Sequence, residues 1–306
     1  MQWVMALFLF LMASCSKISD GSIGRLDEWM VPNGKIKVLA TTRMIDDLVS
    51  QIGGDRVDMI SLIVGDLDPH TYEIVKGDDE KISFADIIFA NGLGLEHGAS
   101  LQYRLKRHPQ IVFLGDEIYK QAPERMVVSG GSVDPHIWTD MALFSEVIGP
   151  IVKQLAAFEP ENREMFEKNG AALKGELIAE HNRLKAIMAS IPDEKRFLVT
   201  SHDAFHYFAR AYLGGEERFA APEGLSPDGQ MSARDIGEIV KYLSEHGIGV
   251  VFPESNVSRA ALKKIVESSP MKVVVVNEPL YGDSMGEESY IGMMRHNVEK
   301  IYEYLK

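Results

Sequence analysis

One cysteine occurs in 306 residues, at Cys15, and that scarcity excludes an internal disulfide and every zinc site built on thiolates. Any metal must be held by histidine and carboxylate. Basic residues are also outnumbered, with 32 Lys and Arg against 45 Asp and Glu and a formal net charge of -13. A nucleic-acid partner is excluded on that ground, since neutralising phosphates takes a basic surface. The acidic balance reads chiefly as solubility. No His-Glu-x-x-His segment is present, which removes the helix motif of zinc hydrolases. What is there is an ordinary globular composition, 45% hydrophobic and 25% charged, long enough for two domains.

The opening apolar run, through Phe8-Leu9-Phe10-Leu11-Met12, is too short to span a bilayer and has no Lys or Arg before it. It ends in small residues that lead to the lone cysteine, as a secretory signal does. Met12-Ala13-Ser14-Cys15 resembles the acylation site of a bacterial lipoprotein. Residues 1–15 are therefore expected to be a signal peptide with lipidation at Cys15, and the polar stretch 16–35 a tether.

From Ile36 short apolar runs alternate with helical patterns: Lys37–Ala40, Met59–Val64, Ile87–Ala90 and Ile111–Leu114, then Phe197–Thr200, Gly249–Phe252 and Val273–Val276. Such alternation indicates parallel strands with crossover helices. Each half carries a Gly-Gly-acidic turn, at Gly53-Gly54-Asp55 and Gly214-Gly215-Glu216, which supports two lobes of similar architecture. Between them Phe166, Leu173, Leu177, Leu184, Met188 and Ile191 form one apolar stripe, so a helix of about 45 Å is expected before Pro192. The expected fold is α/β: an N-terminal lobe over 36–159, a linking helix over 160–191 and a C-terminal lobe over 192–306. The parallel sheets are joined by one long rigid helix.

The chemistry concentrates in a repeated tripeptide, Asp68-Pro69-His70 and Asp134-Pro135-His136. Proline fixes its own φ and biases the preceding Asp to an extended conformation, so each His is presented from a rigid loop. Open α/β sheets bind ligands at such strand ends. One copy reads as a turn with an exposed histidine; two copies weaken that reading. His202 follows the run that ends at Thr200 and is a third candidate, whereas His206 sits in a Phe-His-Tyr-Phe context that suits a packed helix. His97, His108, His181, His246 and His296 lack partner spacing and read as solvated or capping residues. Three neutral imidazoles need a carboxylate to complete a cage for a divalent ion. Glu254, Glu278 and Asp283 follow the last strands, with Asp283 only slightly favoured because glycines flank it.

With these motifs the chain resembles the TroA-like solute-binding lipoproteins of ABC-type manganese, zinc and iron importers. The resemblance is carried by Asp68–Glu73, Asn91–Glu96, Asp134–Trp138, His202–Phe205, Gly224–Pro227, Glu254–Asn256 and Leu280–Ser284. It implies that His70, His136, His202 and Asp283 are the metal ligands, two from each lobe with the site in the cleft, and that Glu254 supports them. It further implies one divalent transition metal ion (Zn, Mn or Fe) as cargo, delivered to an ABC-type membrane permease. The expected protein is a monomer and not an enzyme, periplasmic or at the cell surface and held to the membrane by its N-terminal lipid. Asp116–Val133 contains no histidine, unlike the His-rich loop of dedicated zinc binders in the family. Two alternatives belong to other classes: a secreted metal-dependent hydrolase, which needs an open coordination position and a general base, and a surface lipoprotein or adhesin with a structural metal.

Overall fold

The structure, a computed structural model, describes residues 26–225, 232–287 and 289–306. Cys15 and the 226–227 end of the Gly224–Pro227 motif lie outside them. In the first half β1 (Ile36–Ala40), β2 (Val57–Ser61), β3 (Ile87–Ala90) and β4 (Ile111–Phe113) form a parallel sheet in the order β2-β1-β3-β4. β1 and β3 are buried on both faces, which is why they read as continuous apolar runs and not as alternations. Helices α1 (Arg43–Gly53), α2 (Asp78–Phe84) and α3 (Ala99–Leu105) carry the crossovers, and α4 (Leu114–Gln121) follows β4. A short antiparallel hairpin, β5 (Val128–Ser129) and β6 (Ser132–Val133), then leads into the second Asp-Pro-His.

In the second half β7 (Leu198–Val199) pairs in parallel with β8 (Phe219–Ala220), and β9 (Val250–Val251) with β10 (Val274–Val275). Phe252 N donates to Val199 O at 2.8 Å and joins the two pairs. The resulting order, β8-β7-β9-β10, repeats that of the first sheet. Both Gly-Gly-acidic turns are single 3-10 turns, Gly54–Arg56 and Glu216–Arg218, each leading into its sheet's second strand. The duplicated architecture read from these turns is thus present in the strand order itself. Helices α5 (Ile148–Phe158), α6 (Arg163–Ala189), α7 (Ala233–His246), α8 (Ala260–Ser268) and α9 (Tyr290–Leu305) complete the described elements used below.

α6 is the long connector, 27 residues and about 40 Å at 1.5 Å per residue. Its buried Phe166, Leu173, Leu177, Leu184 and Met188 belong to one apolar cluster that runs from Val38 and Phe89 through Phe205 to Met294. The two halves therefore share a core along this helix. Gly170 earns its place there: a Cβ would lie 2.6 Å from Val152 Cγ2 of α5, so the glycine permits close helix packing.

Two expectations are corrected. Packed structure begins before Ile36: residues 26–29 form a helical turn, Leu26 and Trp29 are buried, and Trp29 Nε1 donates to Asp58 O at 2.9 Å. Burying an indole this fully stabilises the turn against the entropy of ordering it. His181 is not solvated; it is buried on α6, with Nδ1 3.0 Å from Tyr212 Oη.

Candidate metal centre

The two Asp-Pro-His segments fold alike. Asp68 Oδ1 accepts the backbone N–H of His70 at 2.8 Å, and Asp134 Oδ1 accepts that of His136 at 2.8 Å. The proline between them cannot donate, so the aspartate closes on the next available N–H and fixes the histidine backbone. At the third position, Glu254 Oε1 accepts from Ser201 N and His202 N at 3.0 and 2.9 Å, pinning the residues just beyond β7. Asp283 follows Gly282, whose missing side chain leaves room for Glu254 Oε2 and His202 Cε1. Trp138 Nε1 donates to Gly282 O at 2.7 Å and ties the Asp283 loop to the His136 segment.

These loops bring His70, His136, His202 and Asp283 together, with one ligand atom from each lying within 4.8 Å of all the others. All four are buried. His70 Nε2 stands 3.1 Å from His136 Nε2 and 3.6 Å from Asp283 Oδ2; His136 Nε2 and His202 Nε2 lie 3.3 and 3.2 Å from the Asp283 carboxylate. Ligand atoms about 2.1 Å from one tetrahedral ion are about 3.4 Å apart, close to these four separations, so the donor set suits a four-coordinate ion. His202 Nδ1 and Nε2, Glu254 Oε2 and Asp283 Oδ1 are buried without a well-directed hydrogen bond, and coordination through His202 Nε2 and Asp283 would remove part of that cost. His70 and His136 precede α6 in the chain, and His202 and Asp283 follow it.

The electrostatics are those of a cation site. Burial is the largest influence on His70 and pushes it down to about 3, so it is neutral. Burial also works against charge on His136, but Asp134 and Asp283 outweigh it and lift the imidazole to about 9. His202 is raised in the same way by Glu254 and Asp283, and Asp283 is depressed against its burial by His202 and His70. Protons on His136 and His202 occupy the electrostatic place of a cation. His136 Nδ1 faces Asp134 Oδ1 at 2.7 Å, and His202 Nδ1 faces Glu254 Oε2 at 2.6 Å. A carboxylate thus stands behind each ring, and for His136 it is hydrogen-bonded to Nδ1, the arrangement by which metal-binding histidines present Nε2.

Residues 38–304 match the protein family described as zinc-uptake complex component A, periplasmic. The chain belongs to that family. It is 38% identical over 308 residues to the metal-binding protein YtgA of Chlamydia muridarum, covering 97% of this chain and 94% of the relative. The crystal structure of Fe(III)-bound YtgA from Chlamydia trachomatis superposes with a TM-score of 0.85 at 40% identity, covering 89% of this chain and 98% of that one. The periplasmic zinc-binding protein TroA from Treponema pallidum gives 0.81 at 29% identity, covering 89% and 99%.

In this member of the zinc-uptake component A family, Glu254 stands behind His202, while Glu278 pairs with Lys300 away from the cluster. His206 pairs with Asp203 at 2.8 Å and does not join the four. Sequence reasoning missed Asp134 as the partner of the His136 ring and Glu96 as a buried anchor. Glu96 accepts from Thr41 Oγ1, Asn91 N and Gly92 N at 2.7, 2.8 and 3.0 Å, holding the loop beyond β3. The Asp-x-His spacing was the available signal for Asp134; nothing local announces Glu96.

Proposed function

We propose that the chain is an extracytoplasmic solute-binding protein that captures one divalent transition metal ion, manganese, zinc or iron, and delivers it to an ABC-type membrane permease. His70 and His136 supply two ligands from the N-terminal lobe, 36–159 with the preceding packed turn; His202 and Asp283 supply two from the C-terminal lobe, 192–306. The metal is cargo. The observation that carries this reading is the buried His3Asp cluster, with four ligand-atom separations of 3.1–3.6 Å and all ligand atoms within 4.8 Å of one another. Its donors come from both sides of the connecting helix, so binding links the lobes and unlinking them is a route to release.

Four protein ligands leave no open coordination position for an activated water, which disfavours a metal-dependent hydrolase. A monomer held to the membrane by lipid on Cys15 is part of the same proposal. The test is elemental analysis of protein purified without added metal, with melts of the metal-free form titrated with zinc, manganese and iron(II). About one equivalent per chain, and a metal-dependent rise in Tm that is lost in His136→Ala, is the expected result. Absence of stoichiometric metal and of any shift in the wild type would overturn it.

A further inference from the structure

A fourth imidazole stands beside the buried cluster. His97 is exposed, and its ring centroid lies 5.7 Å from that of His70. The three buried imidazoles are separated from one another by 5.2, 5.3 and 6.1 Å. The His97–His70 spacing thus falls among those of rings already placed to share an ion. His97 is nevertheless absent from the group whose ligand atoms are all mutually close. It neighbours one member of the cage without belonging to it.

The ring is also held. His97 Nδ1 lies 3.2 Å from Gly94 O. A carbonyl only accepts, so the neutral ring keeps its proton on Nδ1 and leaves the Nε2 lone pair for a metal. His136 is oriented through Nδ1 in the same way, by Asp134. The loop that supplies Gly94 is left-handed at three successive residues, Gly92, Leu93 and Gly94, with φ of 75°, 55° and 80°. A leucine there is sterically disfavoured. It is held by Asp116 Oδ1, which accepts Leu93 N at 2.8 Å, and by the Glu96 carboxylate beneath Asn91 and Gly92. Backbone strain persists only where surroundings over-determine it, and here its result is a fixed distance between a surface imidazole and a buried one.

We propose that His97 is a transfer ligand, which takes a hydrated divalent cation at the surface, hands it to His70 on loading and receives it again on release. The inference rests on the carrier reading above. Each nitrogen that binds displaces one water from the ion, and the His97–metal bond breaks as the buried ligands close. No electron moves. A relay used in both directions changes rates and leaves the equilibrium constant alone.

The experiment is stopped-flow exchange of Zn2+ between the full chain and a fluorescent chelator, with wild type, His97→Ala, His97→Gln and His136→Ala. Loading and release are both expected to slow by about tenfold in the two His97 variants, equivalent to about 1.4 kcal/mol, with affinity unchanged. Wild-type rates in both variants would overturn the proposal while leaving the carrier reading intact. Faster release with weaker affinity would also overturn it, by making His97 a resident ligand. If the wild type binds no Zn2+, or His136→Ala binds as the wild type does, the carrier reading fails first.

Discussion

Trp138 and Gly282, 144 residues apart, meet through one hydrogen bond: the indole Nε1–H donates to the glycine carbonyl at 2.7 Å, both groups buried. That bond sets the loop bearing Asp283 against the segment bearing His136. Trp138→Phe keeps most of the apolar ring and leaves the carbonyl unpaired, which costs about 1–3 kcal/mol. The expected outcome is a lower Tm together with weaker metal binding, measured by melts and chelator competition. Weaker stability with unaltered affinity would show that the bond does not align Asp283.

Glu254 grips the His202 backbone through one oxygen and the His202 ring through the other. Glu254→Gln keeps the volume and removes the charge behind the imidazole. Metal affinity is expected to fall by about 10–100-fold with stoichiometry retained, the usual cost of losing a partner behind a ligand. Equilibrium dialysis against a chelator series reads both quantities. Complete loss of binding would instead make Glu254 a ligand.

Stability and affinity should respond to pH with opposite signs. His136 is raised from an unfolded value near 6.5 to about 9 because Asp134 and Asp283 outweigh its burial, and His202 is raised likewise. Stability from these charged pairs is fully present below about 6.5 and is lost as pH rises through about 9. Metal must displace the same protons, so affinity rises over that window, by about tenfold per pH unit for each proton released. His70, pushed down to about 3, is neutral throughout and contributes no proton. Melts of the metal-free form at pH 6.5 and 9, beside zinc affinities at both, check the signs. An increase in metal-free stability with pH would contradict this account.

Trp29 packs edge-on against Phe84 at 5.6 Å between ring centroids and lies in the core on the outer face of the first sheet. Trp29→Ala is expected to cost about 3–5 kcal/mol, as for other buried large side chains. Denaturant unfolding would measure it. A cost below about 1 kcal/mol would return this turn to the tether, since that is the size of a surface change.

The sequence by itself determined the α/β class, the strand positions, the long helix and the three histidines that converge. Strands buried on both faces have to be apolar throughout, and α6 carries a one-sided stripe because one side of it meets the core. Proline flanked by Asp and His constrains a backbone within three residues, so Asp68–His70 and Asp134–His136 were legible as rigid turns without any partner in view. Asp283 was not separable from Glu254 on local grounds, because both are carboxylates beyond late strands.

Apart from the family resemblance, only the tertiary structure separated them. Gly282 leaves space for Glu254 behind His202 while Asp283 joins the cluster, and that depends on segments meeting across the fold. His97 read as solvated or capping for the same reason: its neighbour His70 is 27 residues away, and no spacing rule connects them. Local chemistry constrains the backbone of a short segment, whereas a coordination sphere is a set of distances between segments, which exists only once the core has packed.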